Sequence, residues 1–152
     1  MRNDALGESF RKDIRKIGVD YRTRPATDGP STARCLVIVT PDAQRTMSTY
    51  LGVSACLTTK DVDVDAIRTS QITYLEGYLF DPPEAKKAFF FAAEVAHHGE
   101  RQVALSLSDS FCVDRHRAEF LDFVQGHVDI LFANEEEINA LYETKKIGRA
   151  HV

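Results

Sequence analysis

Asn134 and Glu137 stand three residues apart in VDILFANEEEINALYE, residues 128–143. An amide and a carboxylate at that spacing share one helix face. Such a pair can hold a hydrated Mg²⁺ beside phosphate groups, because that ion keeps several waters and takes only one or two protein carboxylates. A capping box asks for the same two residue types at the same spacing, with a side-chain oxygen at the cap and a Glu three residues on. The residues alone leave both readings open, an ion site or a cap followed by a solvated acidic turn.

The elements around the pair give it a place. Val128, Ile130, Leu131 and Phe132 read as a buried parallel strand. Asn134 is a good N-cap. Glu135, Glu136 and Glu137 fill the first turn, where carboxylates suit the positive end of the helix dipole. Ile138, Leu141 and Tyr142 supply an apolar helix face. The pair therefore follows a strand's carboxyl end, where open α/β sheets bind ligands.

Two similar units come before it. QITYLEGYLF reads as a strand and DPPEAKKAFFFAAEVAHHG as a helix. That helix starts at Pro82 and Pro83, buries Ala88, Phe91, Ala92 and Val95, and ends at His97 and His98, where cations are favoured. RQVALSLSD is a second strand, and residues 115–125 form a helix through Phe120, Leu121 and Val124. This βαβαβα order with short loops predicts a parallel sheet with right-handed crossovers. It puts Glu76, the turn from Ser106 to Asp109, and Asn134 with Glu137 on one sheet edge.

The first third has a different character. Residues 4–17 read as a helix with Leu6, Phe10, Ile14 and Ile17 on one stripe, closed by Gly18. A chain that opens on a helix without a preceding strand points to a missing beginning. VDYRTRPA, TARCLVIVT and RTMSTYLG follow, separated by the turn clusters TDGPS and PDAQ. With no helix between them, these strands should form an antiparallel meander or hairpin over residues 19–49. Cys35, Val37 and Val39 alternate with Leu36 and Ile38, so both faces are apolar. The sheet is then either a plain extension of the core or a lid over a ligand site. Residues 58–69, with Val62, Val64 and Ile67, read as a turn and one short helix.

A chain of 152 residues suits one domain or part of a larger one. A net charge of −4 with no basic stripe argues against nucleic acid. No apolar run has membrane-spanning length, and the charged N-terminus is not a signal peptide. Cys35, Cys56 and Cys112 are odd in number and far apart, which indicates free thiols in a reducing cytoplasm. The five histidines lack metal-ligand spacing. The tail KIGRAHV leaves the helix pattern. Read in frame, a common short-read sequencing adapter encodes IGRAHV, so residues 147–152 are expected to be adapter-derived.

DALGESFRKDIRKIGVDY, GPSTARCLVIVTPDAQRTMSTYLG, YLEGYLFD, VALSLSDSFCVDRHR and LFANEEEINALY occur in that order. Together they resemble the middle of a PfkB-family (ribokinase-like) carbohydrate kinase of the adenosine kinase and sugar kinase branch, over residues 4–144. The ordered set carries the resemblance; N-x-x-E alone does not. The resemblance implies an α/β fold of ribokinase-like type, part of a parallel Rossmann-like sheet flanked by helices plus an antiparallel β lid. Its partial kinase domain would span residues 1–146, with lid strands at about 19–50 and the α/β core at about 51–146. It implies transfer of the ATP γ-phosphate to a primary hydroxyl of a sugar or adenosine, which needs positioning, Mg²⁺ and a base.

By the same resemblance, Asn134 and Glu137 help place the triphosphate and Mg²⁺, with Glu137 on the metal. Glu76 matches a substrate-binding position, though a satisfied strand-end carboxylate is an equal reading. Arg34 and Arg45 face the ligand or keep the lid edges soluble, and the second is preferred. The family's Gly-Gly substrate region and its Gly-Ala-Gly-Asp motif, with the anion hole and catalytic base, have no match here. No catalytic residue is therefore assigned, and an internal fragment, inactive alone, is expected. The alternative is a non-catalytic α/β small-molecule binding module. Expected partners are a sugar or nucleoside and ATP, without nucleic acid or membrane; relatives differ in whether lids pair, so a homodimer through the lid is the assembly to consider.

Overall fold

The computed structural model describes residues 1–144. The tail assigned to adapter sequence lies outside the described residues. The chain divides into two compact units, the first Met1–Leu57 and the second beginning at Thr58.

The first unit opens with α1, Ala5–Lys16. Asp4 caps it by accepting from Gly7 N at 2.8 Å, and Gly18, at φ 89°, turns the chain away past the C-cap Ile17. Asp4 also accepts from Thr32 N at 2.8 Å and from Thr32 Oγ1 at 2.6 Å, which ties the helix start to the segment leading into the hairpin. The expected strand VDYRTRPA does not form. Its one ladder contact is a parallel bridge between Ala26 and Arg2. Tyr21 packs edge-on against Phe10 of α1 instead, and Pro25 has no N–H to donate.

β1, Arg34–Val39, and β2, Arg45–Tyr50, form an antiparallel hairpin running from Arg34↔Tyr50 to Val39↔Arg45. The PDAQ turn closes it through Thr40 N to Gln44 O at 2.9 Å. No helix interrupts residues 32–50, as the sequence predicts. Every residue of both strands is exposed, so the apolar side chains on both faces are uncovered. A 3-10 turn, Gly52–Cys56, follows.

The second unit starts with a 3-10 turn, Thr59–Asp61, and the short helix α2, Val64–Thr69. Three parallel strands then alternate with helices: β3, Ile72–Glu76; α3, Pro83–His98; β4, Gln102–Ser106; α4, Ser110–His127; β5, Ile130–Phe132; and α5, Glu135–Tyr142. The sheet order is β3-β4-β5. Leu75, Val103, Leu105 and Leu107 join Phe89, Phe120, Phe123 and Leu141 in one buried cluster.

Four local expectations are corrected. The strand in QITYLEGYLF stops at Glu76, and Gly77–Phe80 form a 3-10 turn that swings Phe80 into the core. There Phe80 is fully buried and stacks on Phe120 at 4.0 Å between ring centroids, edge-on to Phe89 and Phe123. On α3 the core aromatic is Phe89, while Phe91 is half-buried; Ala88, Ala92 and Val95 are buried as expected. α4 begins at Ser110 rather than at residue 115, and its backbone is non-helical at His116 (φ −124°, ψ 22°), where the expected periodicity starts. Finally, among the described residues β5 pairs with β4 alone and Phe132 is 53% exposed, so VDILF stands at the edge of the described sheet and is not buried on both faces.

Candidate active site

The register of the parallel sheet sets Glu76 beside Ser106 and Ser106 beside Phe132. Leu107 N donates to Phe132 O at 3.0 Å and extends the β4–β5 ladder by one bond. Asn134 follows two residues later. Glu76, the turn from Ser106 to Asp109, and Asn134 thus leave the sheet at the same carboxyl end, the end at which α/β sheets take ligands.

Asn134 and Glu137 form a complete capping box on α5. Asn134 Oδ1 accepts from Glu137 N at 2.9 Å, and Asn134 N donates to Glu137 Oε2 at 3.0 Å. A third bond, Asn134 Nδ2 to Glu137 Oε1 at 3.0 Å, engages the other carboxylate oxygen. Glu137 is only 7% exposed. Asn134, Glu135, Glu136 and Asn139 line an open depression over this first turn. Asn139 Oδ1 is buried there with no hydrogen-bond partner. Among the described residues no group of three or more His, Cys, Asp or Glu side chains forms a metal cage. The donor set fits only an ion that brings most of its own ligands, which is how Mg²⁺ is bound next to phosphates.

Glu76 is exposed, and its Oε1 accepts from Ser108 Oγ. Ser108 Oγ in turn accepts from Gly77 N at 2.9 Å. Ser108 has φ 71°, and Asp109 N donates to Leu107 O at 2.9 Å, so Ser108 is the centre of a tight three-residue turn. A left-handed non-glycine residue costs about 1–3 kcal/mol. Gly77 faces it at close quarters: a Cβ there would lie 2.6 Å from both Ser106 O and Leu107 O.

Asp109 caps α4 through Oδ1, accepting from Phe111 N at 2.7 Å and Cys112 N at 3.3 Å. Its Oδ2 accepts from Tyr78 Oη at 3.4 Å. Burial, then the Asp109 carboxylate, raises the Tyr78 phenol above its ordinary pKa. Burial likewise pushes the Cys112 thiol to about 11, so it is no thiolate nucleophile at neutral pH. All three cysteines are free.

Sequence reasoning missed Ser108 as a partner of Glu76, and it missed an ion-pair chain beside the site. Arg115 grips Asp81 with Nη2 at 2.8 Å from Oδ2 and Nε at 3.2 Å from Oδ1. His116 Nε2 lies 2.9 Å from Asp81 Oδ1. Glu119 receives Lys86 Nζ at 2.6 Å. The Arg115 guanidinium is the main cause that holds the Asp81 carboxyl below the usual range. Arg34 and Arg45 belong to the first unit; the Arg34 guanidinium lies over the Tyr50 ring at 4.8 Å within the hairpin.

The chain matches the pfkB family carbohydrate kinase profile over residues 3–151. It is similar to the adenosine kinase from Sinorhizobium meliloti, with 50% identity and a TM-score of 0.90, over 96% of this chain and 45% of that one. It is similar to a probable sugar kinase protein from Rhizobium etli CFN 42, with 48% identity and a TM-score of 0.89, over 95% of this chain and 44% of that one. The adenosine kinase from Schistosoma mansoni in complex with adenosine shares the fold, at 20% identity and a TM-score of 0.80, over 94% of this chain and 41% of that one. The chain spans less than half the length of each.

Proposed function

The chain belongs to the pfkB family of carbohydrate kinases, and we propose that it is the central part of an ATP-dependent kinase acting on a primary hydroxyl of a sugar or of adenosine. The observation that carries this reading is the shared sheet edge, where Glu76 and the Asn134–Glu137 pair stand two strands apart. One end of such a site can take a polyol and the other a triphosphate.

In this reading Asn134 orients Glu137, and the two residues would help to hold a hydrated Mg²⁺ and the triphosphate. The ion supplies charge neutralisation on the triphosphate. Glu76 accepts a hydrogen bond from a hydroxyl of the acceptor sugar. No described residue is assigned as the base that takes the hydroxyl proton. The hairpin of β1 and β2 corresponds in this reading to the lid, and its apolar faces are uncovered within its own unit. The three free thiols of the chain, Cys35, Cys56 and Cys112, suit a cytoplasmic protein, and among the described residues no helix is long and apolar enough to cross a membrane.

The test is to recover the full reading frame around this segment and assay the encoded protein with ATP, Mg²⁺ and adenosine, ribose or fructose. Magnesium-dependent phosphorylation of one of them is the expected result. Tight binding of a sugar or nucleoside with no phosphorylation of any would overturn the proposal in favour of a binding module.

A further inference from the structure

Among the described residues four non-glycine positions have positive φ: Ala43, Glu100, Ser108 and Glu143. Ala43 lies in the hairpin turn, Glu100 in the turn after α3, and Glu143 at the C-cap of α5. Each of those ends an element in the ordinary way. Ser108 alone stands between a strand and the helix it feeds, at the ligand end of the sheet. Glycine or asparagine would hold this backbone with less strain, so the hydroxyl needs its own explanation.

The hydroxyl does two things at once. Pairing of β3 with β4 stops at Glu76↔Ser106, and the next donor, Gly77 N, is taken by Ser108 Oγ in place of a ladder carbonyl. The proton of the same hydroxyl lies between Glu76 Oε1 and Ser106 O, which is 3.2 Å away. The carboxylate is the stronger acceptor of the two. Glu76 is thereby fixed through Oε1, and among the described residues no partner engages its Oε2.

We infer that Ser108 is a positioning residue that fixes Glu76 with one carboxylate oxygen open, and so selects a neutral polyol as the acceptor substrate; this rests on the kinase reading above. An open carboxylate oxygen accepts from a sugar or ribose hydroxyl. It repels a sugar acid or a sugar already carrying phosphate, since like charges at such range disfavour binding.

The experiment uses the full-length kinase and its neutral substrate. Ser108→Gly removes the hydroxyl but keeps a residue at ease with positive φ, and Ser108→Ala removes it while keeping the strain. The Michaelis constant for the neutral substrate is expected to rise about 10-fold in both, the loss of one charge-assisted hydrogen bond's positioning. The turnover number and the constant for ATP stay within about 2-fold, since the hydroxyl touches neither. The melting temperature falls only in Ser108→Ala. Adding Glu76→Gln to Ser108→Gly gives little further loss, because the two act as a unit. An unchanged Michaelis constant in Ser108→Gly, or independent multiplication of the two effects, overturns the inference and leaves the kinase reading standing. A full-length protein that phosphorylates no neutral polyol overturns the kinase reading itself and the inference with it.

Discussion

Glu137 and Asn134 are joined by three hydrogen bonds of 2.9–3.0 Å, and both oxygens of the buried Glu137 carboxylate take part. The cap and the proposed ion site therefore use the same groups. Glu137→Gln separates them, because Gln also serves in a capping box while losing the charge. In the full-length kinase this change should cost about 1–3 kcal/mol in stability, because the Gln amide nitrogen cannot accept and one of the two Asn134 donors loses its acceptor. It should lower the turnover number by about 10-fold or more, with the sugar Michaelis constant little changed. Steady-state kinetics that show only a raised sugar constant would rule out the metal role.

Gly77→Ala should be among the most disruptive single changes in the second unit. The new Cβ would meet two backbone carbonyls, Ser106 O and Leu107 O, at 2.6 Å, and backbone cannot yield as a side-chain tip can. The expected cost exceeds about 2 kcal/mol. Urea denaturation of the purified variant beside the parent measures it, and a difference below about 0.5 kcal/mol would mean that the turn relaxes freely.

Asp4 gives the first unit an acid-sensitive tie. Hydrogen bonds from Thr32, then from Gly7, lower its carboxyl from 3.8 to about 2. A folded pKa below the unfolded one means that the contribution is fully present above about 4. It is lost as the pH falls through about 2. The Thr32 amide resonance should titrate with a midpoint near that value, and Asp4→Asn should abolish the titration. A midpoint at the ordinary Asp value would show that the tie does not hold in solution.

The capping box of α5, the helix α1 with its stop at Gly18, the hairpin of β1 and β2 and the βαβαβα order were all legible, because each is written in residues close in sequence. The misses are long-range or arise from local packing. Ser108 meets Glu76 across 32 positions, and Arg115 meets Asp81 across 34. No periodicity reports such pairs. The start of α4 hid because Phe111 is 72% exposed while its neighbours Cys112 and Val113 are fully buried, so the first turn shows no helical stripe. Phe80 continues the strand pattern of QITYLEGYLF, and nothing nearby in sequence signals that Gly77 must pass against the end of β4.

The two units should also differ sharply in stability. None of the buried apolar side chains among the described residues lies before Thr58, whereas the second unit holds the whole aromatic and aliphatic cluster. A two-stranded ribbon without a covered apolar face is at best marginally stable in water. Backbone hydrogen bonds with little packing around them open locally and let their amides exchange. In native-state hydrogen exchange on the chain as given, the amides of Val37 and Met47 in the hairpin should therefore exchange at least about 100-fold faster than those of Val103 and Leu105 in β4. Denaturant should remove the hairpin signal before the sheet signal, with no single cooperative transition for the chain. Equal protection in both units, lost together in one sharp transition, would show that the hairpin is held by packing stronger than its exposure indicates.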